Sequence, residues 1–340
     1  MADEEFSKPT YKCGTYENPK SFVNWLGLPG ISDVLWWKFF SSKAPLPGKQ
    51  ELETELPITK PNFDEVDEVK GLSATWLGHA TVVVRMNCVN FITDPVFSAR
   101  ASPVSFSGPS RYRPPPCQPG DLPKIHFAVI SHNHYDHLDE NAVKEIHENN
   151  REMTWYVPKG LEVWMRGKLP QNANICEFTW GETTEFKHGD ETFKICCTPA
   201  QHWSTRNLFD RNKSLWCGWA VIGPHHKFFY TGDTGFCDKE FEILGRKYGP
   251  FDLMAIPIGC YLPRNFMKSQ HIDPEEAVEI HKLVKAKHSM GIHWGTYDMG
   301  STEKYNEPPE DFKAAAKKAN LSEKEIFTIG HGETWQYEQQ

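Results

Sequence analysis

The sequence has no apolar run long enough to cross a bilayer. Its longest apolar-rich stretch, Trp25 to Phe40, is broken by Pro29, Asp33 and Lys38, whereas a spanning helix needs about 20 mostly apolar residues. It also has no Cys-x-x-Cys pair. Nine cysteines are scattered between Cys13 and Cys260, an odd number that argues against a disulfide framework and for a reducing, cytosolic setting. The opening residues, MADEEFSKPTYKCG, do not have the basic-then-apolar layout of a secretory signal. Excess positive charge is missing too. Lys and Arg number 37 against 45 Asp and Glu, a net charge of −8, which removes the general electrostatic grip that nucleic-acid binding relies on. Disorder over most of the length is excluded, because 39% hydrophobic and 13% aromatic residues supply enough apolar surface to offset chain entropy. At 340 residues the chain suits one large α/β or sandwich domain with extensions.

Residues 1–70 are rich in Pro, Lys and acidic residues and show no strand periodicity, so they are expected to form an N-terminal extension, with residues 71–340 as the catalytic domain. The extension contains one aromatic island, Trp25-Leu26-Gly27-Leu28 and Leu35 to Phe40. Trp36, Trp37, Phe39 and Phe40 surround Lys38 there, a composition suited to insertion at a lipid headgroup boundary or to packing as a lid. From Gly71 onward, short β-branched and aromatic runs bounded by turn residues predict strands at Ala74–Leu77, Thr81–Arg85, Asn90–Thr93, Phe127–Ser131, Phe193–Thr198, Lys227–Thr231 and Ser289–Ile292. Helices are predicted at Asn141–Glu148 after the N-cap Asp139, at Pro274–Lys287 after the N-cap Asp273 with Glu276 at N3, and at about Glu310–Asn320. Pro103 to Pro123 reads as an irregular loop. No internal sequence repeat is visible.

Ser131-His132-Asn133-His134-Tyr135-Asp136-His137-Leu138-Asp139 follows the apolar run Phe127 to Ile130. Three imidazoles and a carboxylate crowded onto a loop leaving a buried strand are hard to satisfy as core residues, and a metal cation is the economical partner. Imidazole and carboxylate donors without thiolate suit zinc, with manganese or iron as lesser fits. Three further strands end in candidate ligands: His202, Asp233 and His293. Strand ends are how a sheet edge gathers distant residues into one site. Seven donors exceed one tetrahedral zinc, so two metals are expected. His132, His134 and His202 are assigned to one and Asp136, His137 and His293 to the other, with Asp233 as the bridge. Two ions about 3.5 to 4 Å apart would share a hydroxide at neutral pH. His79 and Asp94 sit on turns and are expected to be supporting rather than ligating. His225 and His226 are expected to be solvated, and His281 and His288 have no evident partner. Trp203, Trp216, Trp219 and Trp294 read equally as an acyl pocket or as aromatic core.

His-x-His-x-Asp-His followed in order by His202, Asp233 and His293 resembles the metallo-β-lactamase superfamily, which implies a four-layer αββα sandwich. Within it the chain is similar to the N-acylphosphatidylethanolamine-hydrolysing phospholipase D family. The likeness is carried by Trp76-Leu77-Gly78-His79-Ala80-Thr81, Ser131 to Asp139, Phe251 to Gly259, Gln270-His271-Ile272-Asp273-Pro274-Glu275-Glu276-Ala277 and Ile292-His293-Trp294-Gly295-Thr296, and it spans about residues 20 to 335. The resemblance implies a zinc phosphodiesterase with two Zn2+ per chain that acts on a membrane phospholipid. Its products would be an N-acylethanolamine and phosphatidic acid, formed by attack of the shared hydroxide on phosphorus. It assigns head-group contacts to Tyr135 and His271 and the N-acyl amide to Gln270, with Asp233 and His271 as the catalytic residues. It further implies a homodimer, peripheral on the cytosolic face of internal membranes such as Golgi or endosome, and sensitivity to bile-acid-like amphiphiles. Two readings compete with it: a soluble hydrolase of a lactone or small phosphodiester on the same scaffold, and a metal-stabilised binding scaffold without catalysis. The aromatic island, which a soluble enzyme does not need, separates the first from the phospholipase.

Overall fold

The computed structural model describes residues 5–30, 44–64, 71–104 and 106–338. Its elements in chain order are β1 (Thr10–Lys12), β2 (Thr15–Glu17), α1 (Lys49–Glu55), β3 (Leu72–Gly78), β4 (Thr81–Met86), β5 (Val89–Thr93), β6 (Phe127–Val129), α2 (Glu140–Asn149), β7 (Thr154–Pro158), α3 (Glu162–Arg166), β8 (Asn174–Phe178), β9 (Thr183–His188), β10 (Glu191–Thr198), β11 (Gly218–Ile222), β12 (Lys227–Tyr230), α4 (Asp238–Lys247), β13 (Leu253–Pro257), α5 (Arg264–Met267), α6 (Pro274–Val284), β14 (Ser289–Ile292), α7 (Glu307–Lys318), β15 (Ile326–Phe327) and β16 (Thr334–Gln336).

Two seven-stranded sheets have the orders β16-β3-β4-β5-β6-β7-β8 and β15-β14-β13-β12-β11-β10-β9. Each begins as an antiparallel meander and continues as parallel strands. The parallel strands need crossovers and so bring helices onto the outer faces. Ala142, Val143 and Ile146 of α2 bury against Val83, Ile92, Ala128 and Trp155 of the first sheet. Helices α4, α6 and α7 cover the second. This is the expected αββα sandwich. The two sheets meet through aromatic rings, with Phe91 5.5 Å from Phe228, Phe127 5.0 Å from Phe186 and Tyr156 6.3 Å from Trp219. Each buried ring adds a large apolar area to a dry interlayer.

Local chemistry explains where the element ends fall. Asp139 caps α2 as expected, its Oδ1 accepting from Asn141 N at 3.0 Å, while Oδ2 accepts from Phe97 N and Ser98 N at 3.0 and 2.8 Å. The capping box Asp273/Glu276 opens α6. That helix stops at Val284 rather than Lys287 because Lys285 turns left-handed at φ 58°. α7 starts three residues before Glu310, since Pro308 and Pro309 sit in a first turn where a missing N–H costs nothing. The strand at Phe127 ends at Val129 because Ser131 N turns away to Asp94 Oδ1 at 2.7 Å.

The N-terminal segment holds a hairpin, β1–β2, whose three-residue strands are too short to show periodicity. It is tied to the domain along its length. Phe22 stacks on Trp180 at 5.6 Å, Asn24 Nδ2 donates to Phe236 O at 2.7 Å, and Asn18 Nδ2 donates to the His202 carbonyl at 2.8 Å. In the aromatic island, Trp25 packs on the core and Leu26 is exposed; Leu35 to Phe40 lies outside the described residues. Among the described residues no helix is long and apolar enough to cross a membrane.

Candidate metal centre

The donors gather where strands of both sheets end on one side of the sandwich. His132 to His137 follow β6, His202 follows β10, Asp233 follows β12, His293 follows β14, and His79 lies on the turn between β3 and β4. All seven predicted ligand residues come together there.

They form two groups, with His132 and His137 also converging on Asp94. His132 Nε2 is 2.8 Å and His202 Nε2 3.3 Å from His134 Nδ1, and these three residues converge as one donor set. His79, Asp136, His137 and His293 form the other. Asp233 Oδ2 is placed toward both, 3.1 Å from His137 Nε2, 3.3 Å from His293 Nε2 and 3.9 Å from His202 Nε2. The nitrogens of His137 and His293 approach that oxygen without the alignment of a hydrogen bond, and His134 Nε2 is also buried without a hydrogen-bond partner. Buried ring nitrogens converging on carboxylate oxygens in this way fit a cation better than a hydrogen-bond network.

Supporting residues aim these donors. Asp94 accepts from His137 Nδ1 at 2.7 Å, from Ser131 N, and from the hydroxyls of Ser131 and Tyr230. A carboxylate behind an imidazole fixes its tautomer and orientation. His132 Nδ1 lies 2.9 Å from Ser131 Oγ, and His202 Nδ1 2.9 Å from the Gln270 carbonyl. His79 Nε2 is 2.9 Å from Asp136 Oδ2, closer to the donor set than a turn position suggested. The signal for His79 is backbone strain: His79, Asp94, Cys260 and His293 all adopt positive φ, at 52, 30, 62 and 63°, an uncommon state for non-glycine residues that clusters at functional sites. Gly232 at φ +62° lets the chain pass close under the site, since a Cβ there would lie 2.5 Å from Cys217 O and 2.8 Å from Ser131 Cβ.

Electrostatics follow the same division except at His79, which shifts with the first group. Burial, reinforced by neighbouring imidazoles, lowers His132 well below the usual histidine range, and burial lowers His79 and His202 to about 3 and His134 to about 4, leaving lone pairs free. Burial opposes charge on Asp136 and Asp233, yet His137 and the other imidazoles hold both well below the usual carboxylate range. Against burial, Asp233 and Asp136 raise His137 well above 6.5 and His293 to about 9. Two carboxylates enclosed by imidazoles form a preorganised cation site.

The centre opens into a cleft of about 580 Å³ lined by His134, Asp136, Asp233, Tyr135, Trp203, Arg206, Leu208, Gln270, His271, Ala101 and Met299. The three predicted substrate contacts, Tyr135, Gln270 and His271, all line it. Gln270 Oε1 accepts from Trp203 Nε1 at 2.6 Å. His271 Nδ1 is buried without a hydrogen-bond partner, 3.8 Å from Asp233 Oδ2. Trp203 is thus a cleft residue, Trp216 and Trp219 are buried core, and Trp294 stacks on Trp76 at 5.1 Å. His226 is buried rather than solvated, 3.6 Å from Asp252.

A profile described as "Beta-lactamase superfamily domain" matches residues 89–294. The chain is 49% identical over 340 residues to N-acyl-phosphatidylethanolamine-hydrolyzing phospholipase D 1 of Caenorhabditis elegans, covering 98% of this chain and 96% of that one. The chain belongs to the N-acyl-phosphatidylethanolamine-hydrolysing phospholipase D family of the β-lactamase superfamily. A family member from Saccharomyces cerevisiae, named as mitochondrial, is 35% identical over 78% of this chain and 58% of its own length. An isothiocyanate hydrolase from Delia radicum gut bacteria shares the fold at a TM-score of 0.59 and 18% identity, over 78% of this chain and 99% of that one. As a member of this phospholipase D family, the protein is a metal-dependent hydrolase whose His/Asp cluster is capable of binding metal.

Proposed function

We propose that the protein hydrolyses N-acylphosphatidylethanolamine at a lipid surface, releasing an N-acylethanolamine and phosphatidic acid. The observation that carries this reading is a polar metal-binding floor beneath a cleft with an apolar rim. Leu208 lines the cleft and is 93% exposed, and its neighbour Phe209 is 83% exposed. Phe106, on the loop that follows Ala101, is exposed as well. Uncovered apolar side chains beside a polar site suit a substrate whose reacting group sits at a headgroup boundary.

Two zinc ions would fit the donors: His132, His134 and His202 would hold one and Asp136, His137 and His293 the other, with Asp233 facing both sets and His79 orienting Asp136. When bound, such a pair lowers the pKa of water to near neutrality and neutralises charge on phosphoryl oxygens. The remaining work belongs to the chain. Trp203 holds Gln270 Oε1, and with one amide N–H directed at Met267 Sδ the other donates to the N-acyl carbonyl. Tyr135 faces the cleft next to Asp136, where its hydroxyl donates to a phosphate oxygen. His271, lowered to about 3 by burial, is neutral and still carries one ring N–H, which donates to the departing ethanolamide oxygen. Peripheral binding to internal membranes and a homodimer go with this reading.

The test is hydrolysis of vesicles containing N-acylphosphatidylethanolamine in ¹⁸O-labelled water. Label in phosphatidic acid is expected, because water then attacks phosphorus. Label in the N-acylethanolamine, or release of free fatty acid and a lysophospholipid, sinks the phospholipase D reading and favours the lactone or small-phosphodiester hydrolase.

A further inference from the structure

The donors His132, His134, Asp136 and His137 all belong to one loop, residues 131–139, which carries no regular secondary structure until α2 begins. A loop holds metal donors well only if its backbone is pinned. Asp94 pins its first residue through Ser131 N and its later part through His137 Nδ1, and Asp139 pins its end as the α2 cap. The backbone of its middle is held from outside, among the described residues, by one side chain. Arg206 Nη1 donates to the Asn133 carbonyl at 3.0 Å and to the Leu138 carbonyl at 2.7 Å, bridging the two sides of the segment that bears His134, Asp136 and His137. Its guanidinium is clamped in turn, 4.0 Å from the Tyr135 ring centroid and 4.8 Å from that of Trp164. A planar cation between two rings loses little further freedom in making both bonds.

The turn presenting Arg206 is itself rigid. Asp210 Oδ1 accepts from Arg206 N and Asn207 N, both at 2.9 Å, and from Thr205 Oγ1 at 3.0 Å. The base is closed by Asn212 N donating to Ser204 O at 2.7 Å and Ser204 N donating to Asn212 Oδ1 at 3.1 Å. Its outer residues, Leu208 and Phe209, are the apolar tip at the cleft rim.

We infer that Arg206 is a positioning residue of the metal centre: it holds the ligand loop closed by bridging Asn133 O and Leu138 O, and it makes the apolar tip and the ligand loop one mechanical unit. The inference rests on the ligand assignment proposed above. It concerns how firmly the donors are held, since neither bond of Arg206 goes to a donor atom.

Arg206→Met keeps side-chain bulk between the two rings and removes the donors; Arg206→Lys keeps the charge but not the planar fork. In the zinc-loaded full-length protein at pH 7, zinc release into a chromogenic chelator is followed, together with kcat and KM on a short-chain N-acylphosphatidylethanolamine below its critical micelle concentration. Arg206→Met is expected to release zinc about tenfold faster or more, the range for lost ligand-orienting partners. Its kcat should fall by a similar factor with KM within about twofold, and Arg206→Lys should lie between it and the wild type. Unchanged release in both variants overturns the inference, as does a raised KM at unchanged kcat, which would make Arg206 a substrate-binding residue. Should Arg206→Met not fold, Arg206→Lys decides alone on the same release measurement, faster supporting and unchanged overturning. A wild-type protein that holds no zinc sinks the ligand assignment, an outcome distinct from a wild type and variants that hold it equally firmly.

Discussion

Three strands carry a histidine immediately before their first residue and a candidate metal donor shortly after their last: β6 between His126 and His132, β12 between His226 and Asp233, and β14 between His288 and His293. At the leading ends the rings sit apart from one another, and two of the three have a hydrogen-bond partner of their own. His126 Nδ1 accepts from Asn90 N at 3.0 Å, His288 Nδ1 lies 2.7 Å from Lys324 O, and His226 lies beside Asp252 and under Tyr337 at 5.1 Å. At the trailing ends the rings converge on two carboxylates and on one another. On β6 and β14 the same residue type stands alone at one end and joins the candidate metal cluster at the other. Convergence on two carboxylates marks the candidate site; neither the presence of histidine nor an unpartnered ring nitrogen does, since His226 Nδ1 at a leading end has no hydrogen-bond partner either.

The widest contrast lies along β12. Asp233→Asn, which removes the second anionic oxygen, is expected to cut activity on the order of 10³-fold, about 4 kcal/mol of barrier, and to bring zinc from about two per chain to about one by elemental analysis. His226→Ala, at the other end of the strand, should leave stoichiometry at two and activity within about twofold. Equal zinc content in the two variants would erase the distinction between the strand ends.

Within the trailing end, a residue facing the substrate should separate from those holding metal. His271→Ala is expected to lower kcat on vesicles by about 10²-fold to 10⁴-fold, the range for a positioned donor, at unchanged zinc content. Loss of a zinc ion would instead move His271 into the ligand set. Asp94→Asn should act through His137, weakening zinc about tenfold to 100-fold in a chelator competition. Affinity as tight as in the wild type would mean that the Asp94–His137 bond does not orient that ring.

The smallest expected effect concerns stability at the leading end. His281, in α6, is buried with Nδ1 2.8 Å from Ser289 Oγ at the start of β14, and burial lowers it from 6.5 to about 4. The native state therefore refuses a proton that the unfolded chain accepts. Its stabilising contribution is complete above pH 6.5 and is lost as pH falls toward about 4. The urea midpoint of the metal-free protein should drop between pH 7 and pH 5, and His281→Gln should shrink that drop. An equal drop in the variant would place the acid sensitivity elsewhere.

The ligand loop was legible because its pattern is local: His132, His134, Asp136 and His137 lie within six residues, and their spacing after a buried strand needs no tertiary information. His202, Asp233 and His293 were legible because each follows a recognisable strand, and strand ends collect at a sheet edge. His79 and Arg206 were not. His79 reads as an ordinary turn residue until its backbone at φ 52° and its 2.9 Å approach to Asp136 are seen. Arg206 reads as a surface cation in a polar loop, although its partners lie 68 and 73 residues earlier in the chain. The N-terminal segment reads as a tail for the same reason. Asn18 reaches the His202 carbonyl across 184 residues, and no periodicity within the segment announces such a bond.

By itself, the amino-acid sequence determined the αββα class, the helix caps at Asp139 and Asp273, and the seven donors. The class is what the family likeness of the donor pattern implies, the caps follow from local capping chemistry, and the donors from their spacing on one loop and their places after predicted strands. The tertiary structure alone decided that His79 reaches Asp136, that His226 is buried beside Asp252, and what pins the ligand loop. Those outcomes depend on distances between residues remote in the chain, set by how the two sheets register against each other when their aromatic faces pack.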